Sequence, residues 1–428
     1  MNPRKLVKKL IPRRLFRLVE PYGHWAEAII LNVVHGFPAR GMNVIGVTGT
    51  DGKTTTCFLI HRMLLEAGYN VGVMTTVGWG VGLDIKPQKE HMTTVPVPIL
   101  LRRIKEMKRQ KIDWLVLETS SHALAQHRVW SLPYSIAVLT NISHEHLDYH
   151  GTFKRYREAK RCLFKMTNRH HSGLRTGVIN ADDDSVNLFA KVIKHSVLYG
   201  INHGELRAKG VVSQPTGISY RAELNGQAFH IKSKLVGHFN VYNTLAAVGV
   251  GQVLGLTRQQ IEKGVGALEA VPGRMEKISA GQPFEVIVDY AVTPEALERT
   301  LQEIGKSAVG RVLVVFGATG DRDKTKRPIM GEAAAKNADL IFLTDDETYT
   351  EDPEAIRQSV YAGIKKAGGE GRTKIIGDRR EAIITAFNSA RRGDAVLLAG
   401  IGHQTTRNMG GVDEPWDERQ IARELLTE

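Results

Sequence analysis

The chain is poor in cysteine: two occur in 428 residues, Cys57 and Cys162, far apart and without metal-ligand spacing. That excludes a disulfide framework and a zinc ribbon, and it suits a reducing cytoplasm. Long apolar runs are missing too. Ala26 to Val34 is apolar but short and carries Glu27, so it falls well below the ~20 residues of a membrane span. No signal peptide with a small-residue cleavage site opens the sequence, and neither internal repeats nor low-complexity segments occur. Acidic residues are outnumbered, 45 against 58 basic ones, for a formal net charge of +13. Such a balance suits polyanions: nucleotide phosphates, nucleic acid or an anionic membrane surface. With no aromatic RNA-binding signature, zinc finger or basic zipper, nucleic acid lacks a readout element and is set aside as a partner.

Hydrophobic content of 42% and charged content of 24% are ordinary for a globular enzyme, and the length suggests two to three domains of ~100–200 residues. Between Met1 and Glu20 lie seven basic residues (Arg4, Lys5, Lys8, Lys9, Arg13, Arg14, Arg17) with Leu6, Leu10, Leu15, Phe16 and Val19 interleaved. This is either an amphipathic surface helix for anionic lipid or a solvated arm with one face on the protein, and Pro12 interrupts any single helix.

Val44 to Val47 reads as a buried strand, followed by the glycine turn Gly49-Thr50-Asp51-Gly52-Lys53-Thr54-Thr55 and a helix from Cys57 to Glu66, closed by Gly68. The full G-x-x-x-x-G-K-[ST] spacing would need glycine at 47; the shorter Gly49-x-x-Gly52-Lys53-Thr54 is present. Glycines let successive N–H groups converge on an anion at a helix N-terminus, while Lys53 reaches the outer phosphates and the Thr54 hydroxyl a magnesium ion. This is a nucleoside triphosphate site, against the bland reading of a chance turn.

Strands and helices alternate from Asn43 to about Ala270, including the apolar runs Trp114–Leu117 and Ile136–Leu139, which implies a parallel sheet with chemistry at its carboxyl end. Residues 201–235 read as a small antiparallel insert, and Val271-Pro272-Gly273 as a junction. Beyond it, Val286–Val288, Val312–Phe316, Leu340–Leu343 and Ala395–Leu398 make a second, Rossmann-like α/β unit. The expected division is a basic segment 1–42, an ATP-binding domain 43–270 and a C-terminal domain 271–428.

Three polar clusters follow strands in the first unit: 118–122, 140–151 and Tyr156–Lys160, the last on a helix capped by Thr152. Five histidines between 122 and 150 invite zinc, but magnesium beside a phosphate loop prefers oxygen, and no cysteine accompanies them. Glu118 and His146, each past a strand end, are the preferred metal ligands.

Taken together these motifs resemble the Mur ligase family, the ATP-dependent amide-forming enzymes of peptidoglycan assembly, and most of all the branch adding the third residue of the stem peptide. The resemblance runs through Glu118-Thr-Ser-Ser-His-Ala-Leu-Ala-Gln-His-Arg128, Asn141 to Gly151, Gly237-His-Phe-Asn-Val-Tyr-Asn243, Pro272-Gly-Arg-Met-Glu276, Val288-Asp-Tyr-Ala291, Phe316-Gly-Ala-Thr-Gly-Asp-Arg-Asp-Lys324 and Gly400-Ile-Gly-His403. It implies that ATP phosphorylates an acceptor carboxylate to an acyl phosphate, which an amine then attacks. Lys53, Glu118, His146 and Lys160 would be catalytic, with Thr54, Glu118, His146 and Lys160 around two magnesium ions. Lys160 matches a lysine carried as its CO2 carbamate; without the resemblance it would read as a surface lysine. Gly49 to Thr55, Asn240, Asn243, Arg274 and Asp289 match nucleotide-binding positions. Thr93, Thr94, Ser120, Gln126, Arg128, Arg322, Asp346, Glu347, Tyr349, Gly400 and Gln404 are expected to contact substrates, Ser120 and Arg128 toward the peptide-bearing acceptor and Arg322 toward the amino acid. Each also has a bland role in loop capping.

Four features depart from the family pattern. Only 43 residues precede Val44, too few for the family's uridine-nucleotide domain, so the acceptor is expected to be lipid-linked, partner-held or recognised by sugar and peptide alone. Asp346-Glu347-Thr348-Tyr349 replaces Asp-Asn-Pro-Arg, and an acid at 347 suits a cationic side chain such as lysine or ornithine over diaminopimelate. Val292 and Gln404 stand where the family has histidine and glutamate, and Asp51 where it has asparagine. Two alternatives stay open: a folylpolyglutamate-synthetase-like ligase, and a repurposed protein that binds ATP and a cell-wall precursor without joining anything.

Overall fold

The computed structural model describes residues 13–427 apart from His91 and His144, so most of the basic arm lies outside the described residues. A helix covers Arg13–Val34, with Pro21 inside it. Then comes an eleven-stranded sheet made of β1 (Asn43–Thr48), β2 (Val71–Met74), β3 (Gly78–Val81), β4 (Asp84–Pro87), β5 (Trp114–Glu118), β6 (Tyr134–Leu139), β7 (Thr176–Asn180), β8 (His195–Gly200), β9 (Leu206–Gln214), β10 (Gly217–Leu224) and β11 (Gln227–Ser233). Their spatial order is β11-β10-β9-β8-β7-β6-β1-β5-β2-β3-β4.

The strands from β2 to β8 through the middle of this order are parallel, and β1, β5 and β6 are buried along nearly their whole length. A parallel sheet covered on both faces needs continuous apolar strands, which these sequences supply. One core lies on each face, one built around Leu59, Met63 and Val248, the other around Leu100, Leu163 and Phe164. The chain leaves β1 toward β2 on one side and β5 toward β6 on the other, so the carboxyl ends of β1, β5 and β6 open into one crevice. The antiparallel strands expected over 201–235 are present, but they continue the main sheet: β9 pairs with β8 at Tyr199 and Gly200.

A second sheet follows the junction, formed by β12 (Glu276–Ile278), β13 (Glu285–Asp289), β14 (Val312–Phe316), β15 (Leu340–Leu343), β16 (Thr373–Ile375) and β17 (Ala395–Ala399). Its order is β12-β13-β17-β14-β15-β16, parallel except for β12. A hairpin of β18 (Thr406–Met409) and β19 (Val412–Pro415) comes next. Strands β12, β16, β18 and β19 have too few alternating apolar residues to announce themselves in the sequence.

Candidate active site

The glycine turn leaves β1 under tight constraint. Gly49 has φ 152°, and a Cβ there would lie 1.8 Å from Thr140 Oγ1; Gly52 has φ 76°, and its Cβ would meet Asn243 Oδ1 at 2.2 Å. Both positions therefore admit glycine alone. The strand-end residues of β6 hold the loop: Thr50 N donates to the Asn141 carbonyl (2.8 Å), Asp51 N to Asn141 Oδ1 (2.9 Å) and Thr140 Oγ1 to the Asp51 carbonyl (2.6 Å). Because Gly52 ends the loop in the left-handed region, the next helix starts at Lys53, four residues earlier than the apolar periodicity suggested. Its first-turn N–H groups, including those of buried Thr54 and Thr55, face the crevice as an anion site. Lys53 Nζ curls back onto the Thr50 carbonyl at 2.6 Å.

Glu118, the last residue of β5, is 1% exposed, and its Oε2 gathers three donors: Thr54 Oγ1 (2.9 Å), Thr76 N (2.9 Å) and Thr76 Oγ1 (3.0 Å). A buried carboxylate is tolerable only with such donors or a cation beside it. The carbonyl of Glu118 accepts from Thr94 Oγ1, which also accepts from Ser120 N, and Arg128 donates to the Thr94 carbonyl. Thr94, Ser120 and Arg128 are thus brought together at the end of β5. Thr94 and Arg128 are buried, Ser120 caps the short helix Ser121–Ala125, and Gln126 ends it.

Lys160 lies on the helix Phe153–Arg169, which Thr152 caps by accepting from Arg155 N. It is 2% exposed, donates to the Gly49 carbonyl, and sits 4.6 Å from the Tyr156 ring centre. Tyr156 OH in turn meets Thr50 Oγ1 at 3.0 Å. Burial, then the neighbouring Lys53 charge, pushes the Lys160 amine well below the ordinary lysine value. Among the described residues no carboxylate forms an ion pair with it.

His146, at φ 56°, packs its ring 4.6 Å from that of His122 and 6.3 Å from that of Tyr156. Its protonation is disfavoured, first by burial and then by Lys160 and Lys53. With 41% of the side chain open to the cleft, water moderates the burial effect. His150, pushed down to about 4 by burial and Lys160, meets Ser121 Oγ at 3.0 Å, and His127 packs against Trp25. Among the described residues no three His, Cys, Asp or Glu side chains converge to hold a metal. Of the expected ligands, Thr54 and Glu118 are in direct contact, whereas His146 and Lys160 approach from the opposite, β6 side.

The C-terminal unit supplies the facing wall of a cleft of about 850 Å³. Arg274, just past the junction, points its guanidinium at Thr54 Oγ1 (3.5 Å) and lies over the Tyr290 ring (4.7 Å). Asp289, at the end of β13, accepts from Met275 N at 2.7 Å, and burial pushes its carboxyl up to about 6 against the pull of Arg274. Asn240 and Asn243 line the cleft, but their amides hold one another (2.8 Å), the Val236 carbonyl (2.7 Å) and Thr56 Oγ1 (3.3 Å). Asp51 carries an extra negative charge, and Arg299 of the C-terminal unit meets it at 3.4 Å.

Of the substrate positions, Thr93 and Gln404 line the cleft. Gln404 Nε2 donates to buried Glu347 (3.3 Å), whose other oxygen accepts from Asn408 N (3.2 Å). Asp346, raised to about 6 by burial, lies against Gly400; Arg322 is exposed and stacks on Tyr349 at 5.4 Å. Of these, Glu347 lies directly behind Gln404. Sequence reasoning missed Thr76 and Arg299, which follow no motif, and underused Tyr290.

Two family models match the chain: the Mur ligase middle domain over residues 47–251, and the Mur ligase, glutamate ligase domain over 273–402. A UDP-N-acetylmuramoyl-L-alanyl-D-glutamate--2,6-diaminopimelate ligase from Geobacillus thermodenitrificans is 37% identical, over 96% of this chain and 84% of its own length. A UDP-N-acetylmuramyl-tripeptide synthetase from a Roseiflexus species is 38% identical, over 95% and 83%. Among solved structures, one of a UDP-N-acetylmuramoyl-L-alanyl-D-glutamate--2,6-diaminopimelate ligase is 32% identical with a TM-score of 0.63, covering 96% of this chain and 82% of that one. A Mycobacterium tuberculosis folylpolyglutamate synthase shares the fold at 17% identity, with a TM-score of 0.74 over 88% and 92% of the two chains.

Proposed function

The chain belongs to the Mur ligase family, and from that premise we propose that it joins an amino acid to the terminal carboxylate of a muramyl-peptide acceptor, as the tripeptide-forming members named above do. The observation that carries the reading is Lys160: a buried amine with depressed proton affinity, bonded to the Gly49 carbonyl of the phosphate loop and within the electrostatic reach of Lys53 and Glu118. A charged ammonium there would repel both Lys53 and a metal, whereas a neutral amine can add CO2 and present oxygens. Thr54 Oγ1 and Glu118 Oε2 are hard oxygen donors of the kind magnesium prefers. Magnesium bound there would supply charge neutralisation between phosphate and acceptor carboxylate.

The chain's own groups do the rest. The glycine loop and helix N-terminus seat the triphosphate, and Lys53 turns from the Thr50 carbonyl to the outer phosphates. Arg274 draws the C-terminal wall onto the phosphates through Thr54. An acceptor carboxylate oxygen forms a bond to the γ-phosphorus while ADP leaves. The amine nitrogen then attacks the acyl carbon, loses a proton, and expels phosphate. Gln404 lines the cleft with Glu347 bonded behind it, and an acid at 347 in place of the family's asparagine favours an amino acid with a cationic side chain.

The reading extends to action in the cytoplasm with contact to a membrane surface, supported by the low cysteine count and the basic residues from Arg4 to Arg17. ADP release is the test. It should require ATP, a muramyl-dipeptide acceptor and an amino acid together, with lysine or ornithine preferred over diaminopimelate. ATP binding without acceptor- and amine-dependent ADP release would sink the proposal, and preference for diaminopimelate would sink its finer part. A carbamate signal at Lys160 in 13C spectra under labelled bicarbonate tests the CO2 assignment.

A further inference from the structure

Between Tyr22 and Val34 the first helix exposes an apolar stripe. Tyr22 is 68% exposed, Ile30 60%, Val33 60% and Val34 71%, with Trp25 and Phe37 also exposed. Positions 22, 26, 30 and 33 fall on one side of a helix, and every exposed position from 20 to 34 is uncharged. The polar groups lie elsewhere. His24 sits between Glu20 (3.8 Å) and Glu27 (3.5 Å), and Asn32 is buried, donating to the Ala28 carbonyl and accepting from Ser131 Oγ. Ala28 and Leu31 pack inward on Val97, Leu101 and Trp130. A helix lying against a protein in water normally shows the reverse arrangement, so this face is built for an apolar medium.

We propose that this face docks in the plane of an anionic lipid bilayer. The charge pattern selects that occupant. Seven basic residues from Arg4 to Arg17 precede the exposed stripe, the first acid is Glu20, and the chain carries +13. Basic residues drawn to anionic headgroups, with tryptophan and tyrosine at the boundary and aliphatic residues beneath, describe an interfacial helix. A second copy would bring the same positive segments together. No described helix is long and apolar enough to cross a membrane, so the contact is peripheral. This deepens the membrane contact of the proposed function by giving it a surface. The helix packs beside the Thr94–Arg128 edge of the site: Ala28 and Leu31 face Trp130 on its inner side, and at the margin of the exposed stripe Trp25 lies 6.1 Å from His127 while Phe37, just past the helix, lies 6.4 Å from Trp130. Docking would therefore bring that edge to within about one helix diameter, ~10–12 Å, of the lipid.

Flotation with phosphatidylcholine vesicles, with and without phosphatidylglycerol, tests this on the full chain. Binding to the anionic vesicles should exceed binding to the neutral ones at least tenfold and fall several-fold in high salt. Ile30→Asp with Val33→Asp should lower it at least tenfold while ADP release from water-soluble substrates is unchanged. Lys5→Glu, Lys8→Glu and Lys9→Glu together, all outside the described residues, should abolish the preference for anionic lipid. Wild-type chain that ignores anionic vesicles overturns the proposal, as does equal binding by the aspartate variant. A dimer that the aspartate variant dissolves, in a chain that binds no vesicle, would assign the face to a second copy and overturn it too. Vesicle binding needs no ligase activity, so loss of ADP release alone counts only against the proposed function.

Discussion

The two walls of the cleft are built differently. On the wall from the eleven-stranded sheet, groups are tied at short range: Thr54 and Thr76 on Glu118 at 2.9–3.0 Å, Thr140 on Asp51 at 2.6 Å, Thr50 on Tyr156 at 3.0 Å. Contacts reaching across from the C-terminal unit to the phosphate loop and Thr76 are single and mostly longer: Arg274 to Thr54 at 3.5 Å, Arg299 to Asp51 at 3.4 Å and His403 Nε2 to the Thr76 carbonyl at 3.1 Å. At the cleft's other end Glu303 accepts from His238 N at 3.0 Å, and Val236 and Phe239 pack on the C-terminal core. One wall is preorganised for phosphate and metal. Beside the phosphate loop the other touches it only through isolated polar groups, which suits a site that must admit two further substrates.

The largest effect should come from the rigid wall. Lys160→Ala should lower kcat for ADP release by on the order of 10²–10³, the scale of losing a preorganised electrostatic group. A variant within threefold of wild type would leave Lys160 a packing residue. On the facing wall, Arg274→Ala should cost roughly tenfold in kcat/KM for ATP, about 1.4 kcal/mol. A loss as large as that of Lys160→Ala would erase the contrast between the walls.

Stability against pH probes the same contrast. Burial raises the carboxyls of Asp289 and Asp346, both in the C-terminal unit, from an ordinary 3.8 to about 6. The folded state then binds their protons more tightly than the unfolded state, so stability falls as pH climbs through this window and levels off above it. Asp289→Asn should flatten part of that fall in melting temperatures measured from pH 4 to 7; an unchanged slope would show that this carboxyl ionises normally. The smallest effect belongs to Arg299→Ala. The pair with Asp51 is partly exposed and worth ~0–1 kcal/mol, so KM for ATP should rise no more than about fivefold, with the difference vanishing at high salt. Salt-independent loss would mean that Arg299 touches the nucleotide directly.

The rigid wall is also the legible one. A strand, a glycine turn and a helix start are consecutive in sequence, so Gly49 to Thr55 can be read directly, and Glu118 can be found because it ends an apolar strand. Thr76 could not be found, since it follows a four-residue strand and meets Glu118 42 residues further on. Lys160 was visible only through resemblance. On a helix whose exposed face carries Lys154, Arg155 and Glu158, periodicity alone reads a lysine as solvated. Asp51 read as an uncompensated charge because Arg299 lies on a helix of the other unit, 248 positions away.

By itself, the sequence determined the alternation of strands and helices, the phosphate loop and the surplus of positive charge, because each depends on neighbours within a few residues. Tertiary structure alone decided which lysine has its proton affinity lowered, which arginine offsets Asp51, and that the N-terminal helix from Tyr22 to Val34 turns an apolar side to the outside. Burial and long-range electrostatics belong to the packed chain, and no local pattern encodes them.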